Sequence, residues 1–179
     1  MSRHFAQRID NFFICTFGLQ YLRLVRDPLI HERSEYLVSC IKKMNREGLR
    51  VLDVGCGSAI PLLYLNECCR REVNEYVGID LHTERLSERC QSVRLLHKFY
   101  DVNLDDEWDM GKFDVACCFE VIEHIIKDGH LFRLLCSQVD DNCLYFGKKK
   151  RSDMLSVSYL ASLRACHEGD CRSGRGHQV

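Results

Sequence analysis

No apolar stretch in this sequence is long enough to cross a bilayer. The N-terminus, Met1-Ser2-Arg3-His4-Phe5, lacks the uninterrupted apolar run of a secretory signal. The expected compartment is therefore the cytoplasm, with the nucleus as the alternative. Net charge is scarce as well: 25 Lys and Arg stand against 26 Asp and Glu. That balance provides no global basic field for nucleic acid and no acidic excess for disorder. No Cys-x-x-Cys pair occurs among the 12 cysteines. Several of them (Cys40, Cys117, Cys118, Cys143) lie in apolar runs, where a thiol behaves as a small buried hydrophobe. Cys166, His167, Cys171 and His177 match no zinc-ligand spacing, so a disordered tail is the expectation there. Internal repeats and low-complexity linkers are absent too. What remains is a chain of 179 residues, 46% of them apolar, enough for one domain with a sizeable core.

Three regions are expected. Residues 1–48 form N-terminal helices that pack on the core: one or two short ones over Phe5–Val25, then a clearer one. In that one, Asp27 is an N-cap, Pro28 suits the first helical position, and Leu29, Arg33, Leu37, Ile41 and Met44 recur at helical spacing until Gly48 stops the run. Residues 49–147 form the core. Val51-Leu52-Asp53-Val54 reads as a buried strand running into Gly55-Cys56-Gly57, and Pro61 opens a helix. Tyr76–Leu81 is a second strand, followed by a helix capped by Thr83 and reaching about Gln91. Val93–Tyr100 is a third strand and Phe113–Phe119 a fourth. Helices from about Val121 and over His130–Gln138 lead to a fifth strand, Cys143–Phe146. Residues 148–179 hold the basic run Lys148-Lys149-Lys150-Arg151, a helix over Asp153–Ala165 and a disordered tail. Strands alternating with helices imply a parallel sheet with right-handed crossovers, and ligands beyond the carboxyl ends of its strands.

The chemistry-bearing residues collect at those ends. Glycines after the first strand let the backbone turn sharply and let a ligand approach closely. The helix behind them offers unpaired N–H groups and a positive dipole end. Asp53, two residues before the first glycine, repels phosphate but suits an ammonium group. Asp80 ends the second strand about twenty residues later, where a carboxylate can accept both hydrogens of a ribose diol. A Gly-x-Gly-x-x-Gly pattern is missing, because Ile60 stands at the third glycine position, and this argues against a dinucleotide. If a helix starts at Glu120, then Glu120, Glu123 and His124 fall at i, i+3 and i+4 on one face. Two carboxylates and an imidazole so placed can hold a divalent cation, with Mg²⁺ favoured by the oxygens and Mn²⁺ or Zn²⁺ by the imidazole. The plainer alternative makes His124 a helix-start residue or a general base. His82, His97 and His130 read as surface histidines. Trp108, among Asp105, Asp106, Glu107 and Asp109, reads as the anchor of an acidic loop.

Val51–Gly57, Gly78-Ile79-Asp80, Phe113-Asp114-Val115 and Glu120-Val121-Ile122-Glu123-His124 occur in an order that resembles the class I S-adenosylmethionine-dependent methyltransferases. The resemblance runs from about Val51 to Phe146. It implies a Rossmann-like α/β fold with strand order 3-2-1-4-5 and helices on both faces. Gly55, Cys56 and Gly57 would line the methionine portion of the cofactor, with Asp53 helping to hold its amino group. Asp80 would take the ribose hydroxyls, Leu81 would lie against the adenine, and Asp101 with Val102 would meet its amino group. Phe119 would close the same site. Ala59 departs from the family, which usually has a glycine there. The Glu120–His124 stretch is similar to two branches that use it for a metal, the ubiquinone-pathway O-methyltransferases and the small-RNA 3′-terminal 2′-O-methyltransferases. There a cation would polarise an acceptor hydroxyl.

The expected activity is methyl transfer to an oxygen or nitrogen of a small molecule or RNA, with Glu120, Glu123 and His124 as the catalytic candidates. A full class I domain continues past its fifth strand with a helix and two antiparallel strands. Here the last two strands are expected to be missing, which leaves the fifth strand as a bare edge for a protein partner or a second copy to cover. The alternative function is a catalytically inactive, methyltransferase-like subunit acting through such a partner.

Overall fold

The computed structural model describes residues 28–119, 121, 124–126, 128–139, 142–146 and 158–162. The expectations for Phe5–Val25, Asp27, the basic run and the C-terminal tail lie outside those residues, as do Glu120 and Glu123. Along the chain the elements are α1 (Pro28–Met44), β1 (Leu49–Val54), α2 (Ile60–Cys68), β2 (Val73–Asp80), α3 (Leu86–Arg89), β3 (Leu96–Asp101), β4 (Val115–Phe119), α4 (Asp128–Gln138), β5 (Asn142–Phe146) and β6 (Ser158–Ser162). The strands form one sheet in the order β3-β2-β1-β4-β5-β6. Pairing is parallel from β3 through β5, and only β6 runs antiparallel, with Tyr145 opposite Tyr159. The order 3-2-1-4-5 is as expected. Among the described residues no helix is long and apolar enough to cross a membrane.

The alternation of side chains along the strands divides the core in two. Val51, Tyr76 and Cys117 face one side, where Leu37 and Ile41 of α1 and Leu62 and Leu65 of α2 close over them. Leu52, Val54, Val77 and Ile79 face the other side, against Leu131 and Leu135 of α4 and the loop residues Leu104 and Trp108. Trp108 is buried and anchors its loop as expected. Gln138, near the end of α4, holds that loop from both directions. It donates to the Trp108 carbonyl (3.1 Å) and accepts from the Met110 amide (2.9 Å).

Several expectations are corrected. The fifth strand is not a bare edge, because β6 pairs along its whole length. One of the two strands expected to be missing is thus present, within the stretch 153–165 for which the apolar spacing predicts a helix. A short apolar run does not by its period distinguish helix from strand. No α-helix begins at Val121. Val121 is irregular, and His124 sits in a 3₁₀ turn closed by its own amide on the Val121 carbonyl (2.8 Å). The helix after Thr83 is only four residues, and β3 lies three residues later at its start than expected.

At the amino ends of the strands, charge takes the place of apolar packing. Arg50 Nε and Lys98 Nζ each donate to the buried Glu75, at 2.8 and 2.7 Å. The Arg50 guanidinium also lies 4.7 Å from the centre of the Phe113 ring. Those two hydrogen bonds hold the Glu75 carboxyl below its ordinary range.

Gly78 in β2 is where the sheet and the glycine turn meet. A Cβ built there would come within 2.9 Å of both Cys56 Sγ and Phe99 Cδ1. Its missing side chain is the space into which Cys56 packs. Gly78→Ala should therefore destabilise the fold by about 1–3 kcal/mol through overpacking, a loss that urea unfolding would register as a lower midpoint.

Candidate functional site

The site is an open cleft of about 170 Å³ at the carboxyl ends of β1 and β4. Asp53, Gly55, Cys56, Gly57 and Phe119 line it, as do Ser58, Ile60 and Pro61. The wall opposite the turn belongs to α1, through Arg33 and Ser34. The sequence reading missed those two, although a signal was present: Arg33 stood on the helix stripe that was otherwise apolar. The buried stripe in fact runs His31, Ser34, Leu37, Ile41. Its polar end lies beside the cleft, and His31 Nδ1 and the Tyr64 hydroxyl, 2.7 Å apart, pin α1 to α2 just behind it.

The glycine turn has the backbone that its sequence suggested. Gly55 and Gly57 have φ of +70° and +50°, in the left-handed region that a Cβ disfavours. A side chain at Gly55 would also run into Val121. The amides of Gly55 and Cys56 both donate to the Ile79 carbonyl, at 2.8 and 3.1 Å, so the turn is tied to the end of β2. Ala59, at the position usually held by glycine, has φ of +53° immediately before α2. The chain thus keeps a glycine-like backbone there without a glycine. Cys56 contributes backbone to the cleft. Its side chain is buried against Gly78, and burial pushes its thiol far above the ordinary range.

Two carboxylates flank the turn in opposite environments. Asp53 is buried beneath it. It accepts from the Tyr76 hydroxyl (2.5 Å) and from the Cys117 thiol (3.4 Å). Burial outweighs both hydrogen bonds and raises its pKa to about 6. Asp80 stands at the rim. Its Oδ2 accepts from the Gly57 amide (2.9 Å) and its Oδ1 from the Leu81 amide (2.7 Å). A carboxylate oxygen so engaged keeps a lone pair for a further donor.

The remaining site candidates are dispersed. Leu81 is 56% exposed beyond Asp80. Asp101 is the β3 neighbour of Asp80 in the sheet register, and its Oδ1 accepts from Thr83. Val102 packs against the core on the side of Trp108 and donates its amide to the Asp80 carbonyl (2.8 Å). Leu81, Asp101 and Val102 do not line the cleft itself. His124 is exposed. Glu120 and Glu123 lie outside the described residues. Among the described residues no group of three His, Cys, Asp or Glu is placed to hold a metal.

A protein-family model described as a methyltransferase domain matches residues 24–162. A ubiquinone biosynthesis O-methyltransferase of Alkalilimnicola ehrlichii is 32% identical over 98 residues, which is 52% of this chain and 37% of that protein. The enzyme of the same name from Psychrobacter arcticus is 33% identical over 90 residues, covering 46% and 34%. The chain thus spans little more than a third of the length of these curated relatives. Among solved structures, the magnesium protoporphyrin IX methyltransferase of Synechocystis with bound SAM superposes with a TM-score of 0.59 at 18% identity, over 83% of this chain and 79% of that one. A [4+2]-cyclase superposes with a TM-score of 0.51 at 16% identity, over 66% and 47%. At such identities the likeness is one of fold, and the cyclase shows that the fold does not by itself name a reaction.

The raised pKa of Asp53 makes a test of its burial. A carboxyl with a higher pKa in the folded than in the unfolded chain favours folding while protonated. That advantage is full below the unfolded value of 3.8 and is lost as pH rises through about 6. Wild-type stability in urea should accordingly fall between pH 4 and 6 relative to Asp53→Asn. Parallel stability curves for the two proteins across that window would rule the shift out.

Proposed function

The chain belongs to the methyltransferase-domain family, and from that premise we propose that it binds S-adenosylmethionine and transfers its methyl group to an oxygen or nitrogen acceptor. The observation that carries the reading is the bridge from Gly57 N–H to Asp80 Oδ2. It brings a glycine turn with room for the amino-acid end of the cofactor next to a carboxylate suited to a ribose diol.

In this reading the cleft takes the methionyl end. Gly55 and Gly57 present backbone without a Cβ in the way. Arg33, on the opposite wall, supplies a guanidinium for the carboxylate. Asp53, beneath the turn, supplies negative charge toward the ammonium, and a cation brought near it favours its ionised form. Asp80 takes the ribose through lone pairs left over from its two backbone bonds, and the exposed Leu81 offers an apolar surface to the base. Bound there, the sulfonium makes its methyl group electrophilic without further activation. The chain's own task is then to orient donor against acceptor and to exclude water. Phe119, at the tip of β4, lines the cleft and would help to exclude water from that wall.

The names of the curated relatives favour an oxygen on a small molecule as the acceptor over an RNA end. A divalent cation on Glu120, Glu123 and His124 forms no part of the reading. Calorimetric titration with S-adenosylhomocysteine should give micromolar-range binding, on the order of −8 kcal/mol. Asp80→Ala should weaken it at least about ten-fold by removing a charged hydrogen-bond acceptor. Folded wild-type protein that gives no heat would overturn the assignment.

A further inference from the structure

The segment that leaves β2 after Asp80 makes a short irregular turn before α3, and one residue in it, Thr83, is 5% exposed. Its amide and its hydroxyl both donate to one oxygen, Asp101 Oδ1, at 2.7 and 2.8 Å. Its carbonyl accepts the Leu86 amide that opens α3 (2.8 Å). All three polar groups of Thr83 are therefore spent on holding the turn in place. On the other side of the turn, Asp80 holds the Leu81 amide and, across the cleft rim, the Gly57 amide. The Asp80 carbonyl in turn receives Val102 N–H, the residue after Asp101. The carboxyl ends of β1, β2 and β3 are thus linked by two adjacent carboxylates. Asp80 faces the glycine turn, and Asp101 has one oxygen committed to Thr83.

We infer that Thr83 is a positioning residue for the nucleoside half of the cofactor: clamped by one oxygen of Asp101, it fixes Leu81 and the end of β2 at Asp80, apart from any contact that Asp101 itself makes with the base. This inference rests on the cofactor reading above. A short turn between a strand and a four-residue helix has little packing of its own to hold it, and Leu81 within it is more than half exposed. Without the clamp, Leu81 and the Asp80 carboxylate would have to be ordered at the moment of binding, and that ordering entropy would come out of the affinity. With the clamp they are set beforehand. Two donors converging on one ionised oxygen are suited to the task, because hydrogen bonds to a charged acceptor are about twice as strong as neutral ones. The same two bonds hold the Asp101 carboxyl below its ordinary range, so it stays ionised at neutral pH.

The test is a double-mutant cycle read with two ligands, S-adenosylhomocysteine and S-inosylhomocysteine, which differ in the base amino group. Calorimetry on the full chain would compare wild type with Thr83→Val, Thr83→Ser, Asp101→Ala and the Thr83→Val/Asp101→Ala pair. The expected result is about ten-fold weaker S-adenosylhomocysteine binding for Thr83→Val and for Asp101→Ala, from lost charge-assisted hydrogen bonds. Thr83→Ser should bind like wild type. The double variant should bind no more weakly than Asp101→Ala alone, since the hydroxyl bond that Thr83→Val removes is already lost in Asp101→Ala. The preference for the adenosyl over the inosyl ligand should be kept in Thr83→Val, which leaves the Asp101 carboxylate in place. Hydrogen exchange at the Thr83 amide should speed up in Asp101→Ala while the amides inside β1, paired with β2 and β4, keep their protection, which separates a local clamp from a general loss of fold. Losses that multiply in the double variant, or Thr83→Val binding as tightly as wild type, would overturn the clamp while leaving cofactor binding intact. Wild-type protein that binds neither ligand would instead sink the cofactor reading, and this one with it.

Discussion

The contact on which the site depends is the one from the Gly57 amide to the Asp80 carboxylate. The two groups are 23 residues apart in sequence, and they meet because β1 and β2 pair in parallel with Asp53 opposite Gly78. Parallel pairing places both strand ends, together with the glycine turn and the Asp80 carboxylate, on the same side of the sheet. Gly78 then lets the turn descend far enough for Cys56 to pack onto β2. Remove any of these and the turn and the carboxylate lose their shared rim. An ionised acceptor on a backbone N–H is among the stronger hydrogen bonds available to a protein, so the rim is rigid where a ligand would need it to be.

Beneath the rim the sheet accepts a cost. Asp53 is a carboxylate in a layer that is otherwise apolar, supported by a phenol and a thiol. Burial dominates its ionisation, and the same burial and negative charge raise the Tyr76 hydroxyl well above its ordinary value. A carboxylate left under-compensated when ionised is the group that the proposed ammonium of the cofactor would meet. The amino ends of the strands show the opposite arrangement. There Glu75 is compensated by Arg50 and Lys98, and Asp114 receives the Arg50 amide and the Arg46 guanidinium. Charges that are paired serve the fold, whereas the under-compensated carboxylate lies next to the cleft.

Much of this was legible in the sequence. The strand that runs into Gly55-Cys56-Gly57, the strand that ends at Asp80 and the alternation with helices were enough for a parallel α/β sheet, because buried parallel strands and glycine turns leave local signatures; the strand order came from the resemblance to the class I methyltransferases. Arg33 and Ser34 were not recognised as cleft residues, although Arg33 interrupted an apolar helical stripe. Period reveals which face of a helix is inward, but not where along the sheet the helix will dock. The expected helix over residues 153–165 gave way to β6. A strand at that position is decided by whether a neighbour offers unpaired backbone, and β5 does. The helix expected from about Val121 rested on spacing alone, and Val121 is irregular with His124 in a 3₁₀ turn.

By itself the sequence determined the fold class, the position of the glycine turn and the two carboxylates that flank it, since each derives from local backbone chemistry and the period of apolar residues. Only the tertiary structure decided which oxygen of each carboxylate is already engaged, that α1 supplies the far wall of the cleft, and that Asp101 is committed to Thr83. Those facts depend on the register between strands and on burial. Both are set by contacts among residues distant in sequence, which no local pattern encodes.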